Sequence, residues 1–263
     1  MNAAGLDASW LSDFAQVLLL RGGYNTSVVM VGVALLGVAA GAVGAFALLR
    51  KRAMMSDVLS HATLPGIALA FLAAVALGAN GRSLPVLLAG AATAAIVAAL
   101  VVQWLSRSGR LPEDAAMGAV LSVFFGFGAV LLSVVQSLRT GSEGGISHFI
   151  LGQAAGMSEG DALVIGAVAI GVVCAITLLG KEFRLVCFDP EFGAVQGWPV
   201  ARIDLMLMGL VVIVAVIGLQ AVGMILIVAL MIVPAAAARL WTERLWTMVA
   251  LSAAFGGASA WVG

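Results

Sequence analysis

Of the 263 residues, 63% are hydrophobic and 10% charged, and the mean hydropathy is +1.15, well outside the range of a water-soluble globular domain. The 13 basic and 13 acidic residues leave no net charge, so no overall positive field favours nucleic acid as a partner. The composition predicts an all-α polytopic membrane protein.

Residues 1–25 carry Trp10, Leu11, Phe14 and Leu18 with no basic stretch ahead of an apolar core, which predicts an extracytoplasmic interfacial segment and no cleavable signal. The rest, 26–263, reads as one transmembrane domain. Apolar runs long enough to span fall at 26–49, 58–77, 85–105, 115–137 and 162–179. Three more follow at 203–219, 221–238 and 245–262, the first two somewhat short of the ~20 residues a spanning helix needs, with Gly218, Gln220 and Gly223 expected to form their hairpin. The prediction is therefore about eight transmembrane helices. If the loops alternate sides, one set holds Arg50, Lys51, Arg52, Arg107, Arg110, Lys181, Arg184, Arg202, Arg239 and Arg244, and the other only Arg21, Arg82 and Arg139. Positive residues mark the cytoplasmic side, which puts both ends of the chain outside the cytoplasm. Gly32, Gly37, Gly41 and Gly44 recur at spacings near four, the pattern that lets helix backbones approach closely. Cys174 and Cys187 form no CxxC or disulfide pattern and read as packing residues.

The segment SDVLSHATLPG, 56–66, is the most informative. Asp57 and His61 stand four positions apart, so on a helix they share a face and can reach one cation. Ionisable groups at the head of a spanning segment are costly unless water, a partner or an ion meets them. Pro65 has no N–H and deprives the carbonyl of His61 of its usual donor, so Pro65 and Gly66 are expected to kink the helix beside the pair. Hard carboxylate oxygen with imidazole nitrogen suits Mn²⁺, Fe²⁺ or Zn²⁺, and protons are expected to compete with the metal for the imidazole.

Four blocks carry a family resemblance. SDVLSHATLPGIALAFL after a span ending in RKR, LPEDAAMGAVLSVFFGFGAVLLS from Leu111, FDPEFGAVQG from Phe188 and VGMILIVALMIVPAAAARL from Val222 resemble, in the same order, the metal-importer permeases of the ABC-3 family. The resemblance covers nearly everything after residue 25. Family members continue past the last span with another apolar segment, whereas this chain stops at Gly263. The resemblance implies a type II-like ABC importer permease fold with a dimeric core in the bacterial plasma (inner) membrane. A second permease subunit, identical or a related paralogue, would complete the core. ATP would be held by cytoplasmic ATPase subunits, and an extracytoplasmic solute-binding protein would deliver the metal. It further implies no permanently bound cofactor, and a transported Mn²⁺, or Fe²⁺ or Zn²⁺, passing Asp57 and His61 where two permeases supply two donors each. The stretch 181–202 resembles the segment that meets the ATPase, with Phe188, Asp189, Glu191 and Gly197 as its expected contacts. The outer loop 138–160 with Glu143, His148, Glu159 and, just beyond it, Asp161 is a candidate docking surface for the delivery protein. Gln220 is expected to line the path or bond to a neighbouring helix, and Pro234 stands in a later span.

Other classes fit less well. An intramembrane metalloprotease would want HExxH, and the two histidines, His61 and His148, lie on opposite sides of the topology. Neither has an evident serine partner for hydrolase chemistry. No Walker A sequence is present, so energy comes from another polypeptide or an ion gradient. The alternative to an ATP-driven importer is a secondary, proton-coupled cation transporter. A purely structural membrane subunit is a third possibility.

Overall fold

The computed structural model describes residues 23–78, 83–107, 109, 111–137, 152 and 154–263. The expected N-terminal segment falls almost wholly outside them. Eight helices are long and apolar enough to cross a membrane: α1 (Tyr24–Leu49), α2 (Met55–Ala76), α3 (Leu84–Arg107), α4 (Glu113–Ser137), α5 (Glu159–Leu178), α8 (Val200–Val222), α9 (Met224–Trp241) and α10 (Leu245–Val262). Between α5 and α8 lie two short helices, α6 (Gly180–Phe188) and α7 (Pro190–Val195). No strand occurs among the described residues.

Helices α1 and α2 form the inside of the bundle. The glycines of α1 are why: a Cβ on Gly37 or Gly41 would run into the backbone of Gly256 or Ser252 in α10, and one on Gly44 into the carbonyl of Met231 in α9. At that distance the Ser252 hydroxyl donates to the Gly41 carbonyl, 2.6 Å, a buried bond between helices. The glycine stripe thus sets packing within one chain. Around α2 the same device recurs. A Cβ on Gly66 would meet the Gly90 carbonyl of α3, and one on Gly128 of α4 would lie 2.8 Å from Leu64 Cβ and 2.9 Å from Pro65 Cδ. Both neighbours therefore press on α2 at the Pro65–Gly66 step.

The α8–α9 hairpin differs from expectation. Helix α8 begins at Val200 and runs through Gly218 and Gln220 to Val222, so it is 23 residues long, enough to span. Gly218 does not break it, because its bare backbone accommodates Ile227 of α9. Only Gly223, at φ 84° and ψ 168°, turns the chain, a conformation that side chains with a Cβ rarely adopt.

The turn between α1 and α2 is a Schellman closure. Lys51, with φ 59°, takes the left-handed position, while the N–H of Arg52 reaches the Ala47 carbonyl at 2.9 Å and that of Lys51 the Leu48 carbonyl at 3.0 Å. This turn leaves Lys51 exposed and aims Arg50 and Arg52 into the protein.

Candidate cation site and its cytoplasmic support

Asp57 and His61 occupy the first two turns of α2. A carboxylate there lies where unpaired helical N–H groups favour negative charge. His61 Nε2 stands 3.4 Å from Asp57 Oδ1, and the two side chains are 27% and 37% exposed. Across from them, the Phe125 ring of α4 meets the imidazole edge-to-face, with centroids 5.0 Å apart and planes at 84°. His61 Nδ1 is buried without a hydrogen-bond partner. Among the described residues no group of three or more His, Cys, Asp or Glu is placed to hold a metal. One chain therefore offers two adjacent donors and an incomplete coordination shell.

Pro65 lies inside a helix that continues to Ala76. Beyond the pair, a groove of about 580 Å³ runs between α2, α3 and α4, lined by Leu69, Ala70, Val97, Phe124 and Phe127 among others. Its one polar side chain, Thr93, is spent on the Gly90 carbonyl at 2.9 Å. Such a lining offers a cation nothing, so the groove adds no second subsite.

On the positively charged face, a buried network joins three helices and one turn. Arg52, 4% exposed, grips Glu113 with two bonds, Nη2–Oε1 at 2.7 Å and Nε–Oε2 at 3.1 Å. Its Nη1 donates to Asp204 Oδ2 at 2.8 Å, and Asp204 is 3% exposed. Arg50 Nε donates to Asp204 Oδ1 at 3.2 Å, and Gln103 Nε2 to Oδ2 at 3.3 Å. Burial opposes the Arg52 charge, but its hydrogen bond to Glu113 and the fields of both acids outweigh this and hold the guanidinium above its ordinary pKa. The network brings the RKR turn, the end of α3 and the starts of α4 and α8 together. It escaped the sequence reading, although Asp204 inside an apolar run asked for a partner. Nearby, burial pushes the Cys187 thiol up to about 12, with the Arg50 charge opposing that shift and its Sγ 3.9 Å from the Phe46 carbonyl.

Most of the segment 181–202 folds as α6 and α7, and Asp189 divides them. Its Oδ1 accepts from the Phe192 N–H at 2.9 Å as the N-cap of α7, with Pro190 at the first helical position. Asp189 thus has a structural function of its own. Gly197 has φ 85°, which explains the glycine, and Glu191 is exposed. Phe188 is exposed, and so are three residues not singled out from sequence: Phe192, Val195 and Trp198. They leave the segment 188–198 with four uncovered apolar side chains.

Glu143 and His148 lie outside the described residues. Asp161 is engaged in a capping box: its N–H donates to Ser158 Oγ at 3.2 Å, and its Oδ2 accepts from Ser158 N and Oγ at 3.1 and 2.7 Å. Gln220 Nε2 donates to Asp161 Oδ1 at 3.4 Å, so it ties α8 to α5. Of the described residues of this group, Glu159 is exposed. Gly156, Ser158 and Gly160 have the spacing of a hydrolase nucleophile elbow, but the Ser158 hydroxyl is this cap and no strand precedes it among the described residues. Pro234 is buried within α9.

Residues 24–263 match the ABC 3 transport family. The chain belongs to that family. This ABC permease is a multi-pass plasma-membrane subunit, and ATP hydrolysis is the task of a separate polypeptide. It is 41% identical over 236 residues to "Zinc transport system membrane protein TroC" of Treponema pallidum, covering 90% of this chain and 78% of that protein. It is also 41% identical over 235 residues to "Manganese transport system membrane protein MntC" of Bacillus subtilis, covering 89% of this chain and 53% of that one. The fold matches PsaBC from Streptococcus pneumoniae, solved in complex with Fab, with a TM-score of 0.75 at 28% identity, over 95% of this chain and 84% of the other.

Proposed function

We propose that this ABC permease carries divalent transition metal ions inward, manganese before iron or zinc, through a site that Asp57 and His61 form with the same pair of a second permease. The observation that carries this reading is the 3.4 Å approach of a carboxylate oxygen and an imidazole nitrogen on a partly open face, with no third His, Cys, Asp or Glu placed to join them among the described residues. Two donors are too few for a divalent ion, and two-fold pairing would supply two acids and two imidazoles, with waters or carbonyls completing the shell. Weak, divided ligation of this kind suits an ion that has to leave again. Relatives named for manganese and for zinc support the cargo class, and the CFDPEF stretch resembles the manganese and iron members of the family more than the zinc ones. The segment of Phe188, Phe192, Val195 and Trp198, with Glu191 and Gly197 among them, is the contact for the cytoplasmic ATPase, and an extracytoplasmic binding protein hands over the metal at the opposite end.

The test is uptake of Mn²⁺ in vesicles holding the assembled transporter, with Fe²⁺ and Zn²⁺ as competitors, with and without ATP. ATP-dependent Mn²⁺ uptake that falls to background in Asp57→Asn is the expected result. Uptake that persists without the ATPase would instead select a proton-coupled carrier, and parental uptake by Asp57→Asn would remove the site.

A further inference from the structure

Resting on the reading of Asp57 and His61 as the ion site, we propose that the Arg52-centred network is the relay that carries ATPase-driven movement to that site. Its geometry joins both ends of such a path. Asp204 lies in the second turn of α8, six residues after Trp198, the last of the four exposed apolar residues. Arg52 lies five residues before Asp57, and its carbonyl accepts from the Met55 N–H at 2.9 Å where α2 begins. Glu113 is the first residue of α4, the helix that sets Phe125 against His61. One guanidinium therefore ties the start of α8 to both walls of the ion site. A displacement of α7 and α8 is passed through Nη1 of Arg52 to α2 and, through Nε and Nη2, to α4, so that the donors and the ring opposite them move together. Arg50 and Gln103 steady the Asp204 carboxylate from α1 and α3. Arginine is required because a planar fork can hold two carboxylates at fixed angles, whereas a lysine ammonium keeps the charge but cannot make both sets of bonds.

Arg52 and Asp204 are thus positioning residues. The experiment measures Mn²⁺ uptake and phosphate release in the same vesicles, with equilibrium Mn²⁺ binding to the nucleotide-free complex measured alongside. Arg52→Lys is expected to assemble, bind Mn²⁺ as the parent does and hydrolyse ATP, while ions imported per ATP fall roughly fivefold or more. Asp204→Asn is expected to lower the same ratio while also shifting Mn²⁺ binding through the lost charge, and Asp204→Glu, which keeps the carboxylate, to stay closer to the parent. A parental ion-to-ATP ratio in Arg52→Lys and Asp204→Asn overturns the proposal. So does a loss of Mn²⁺ binding in Arg52→Lys, or a failure of both variants to assemble, since either makes the network a static clamp. Asp57→Asn separates the two readings: unchanged Mn²⁺ binding in that variant sinks the ion site and leaves the ratio in Arg52→Lys to be judged on its own.

Discussion

Gly128→Ala puts a single methyl group where α4 touches α2. The added Cβ would lie 2.8 Å from Leu64 Cβ, 2.9 Å from Pro65 Cδ and 3.0 Å from Pro65 N, where ordinary contact begins at 3.4 Å. Neither a proline ring nor a backbone nitrogen can swing aside, so the helices must part by roughly half an ångström. Overpacking of this kind costs about 1–3 kcal/mol. Phe125 sits one turn earlier on α4 and is carried along, loosening its 5.0 Å contact with the His61 ring. Leu64 and Pro65 lie one turn beyond His61 on α2, so a shift there reaches the imidazole as well as the ring opposite it. The expected outcome is a lower unfolding temperature for the purified protein and a several-fold weaker Mn²⁺ affinity in the assembled transporter. Gly126→Ala is the control, because a Cβ there meets nothing within 4 Å. It should be neutral, or stabilising by up to about 1 kcal/mol through helix propensity. Equal stability and affinity in the two variants would refute the claim that contact at Gly128 holds Phe125 on the imidazole.

His61→Ala should abolish uptake while the complex still assembles, and uptake at the parental rate would remove the imidazole from the path. Phe188→Glu places a charge among the exposed apolar side chains and should leave basal ATP hydrolysis intact while metal import stops; unchanged import in an assembled complex would exclude Phe188 from the ATPase contact. Asp189→Ala should destabilise α7 by about 1 kcal/mol through loss of its cap, and Asp189→Ser should recover most of that, as thermal unfolding of the two variants would reveal. With its thiol held up to about 12 by burial, Cys187 stays overwhelmingly protonated at pH 8. A Cys174→Ser protein should therefore react very slowly with a water-soluble maleimide until it is unfolded, and rapid labelling of the folded protein would contradict the burial of Cys187.

What could be read in the chain and what could not divides along physical lines. The eight spans were legible because length and apolarity alone decide whether a segment crosses a membrane, and each expected run lies within or nearly within an observed helix. The ends were less so. Helix α8 starts before its apolar run, where Arg202 is exposed, and it continues past Gly218 because that glycine accommodates Ile227. Asp57 and His61 were legible as a pair since i and i+4 is a property of the helix itself. Arg52, Glu113 and Asp204 were not, because their partners stand 61 and 152 residues apart and only tertiary packing selects them. Phe192, Val195 and Trp198 read as ordinary apolar positions until α7 left them uncovered.

The network also explains how a cation site can exist close to an RKR turn. Free guanidinium groups five and seven residues from Asp57 would compete for its oxygens and repel an incoming divalent ion. Here Arg50 and Arg52 face Asp204 and Glu113, two positive charges against two negative, at distances of 2.7 to 3.2 Å. The arginines are thus neutralised within the protein, and Asp57 is left facing the imidazole of His61. Lys51 alone of the three basic residues is turned to water, where salt screens it. The sequence RKR therefore serves two ends at once: the outward lysine retains the positive-inside signal that orients the chain, while the inward arginines are consumed by α4 and α8. An acid lost from the network would change the site by charge as well as by geometry, which is why Arg52→Lys, with its charge conserved, isolates the mechanical part.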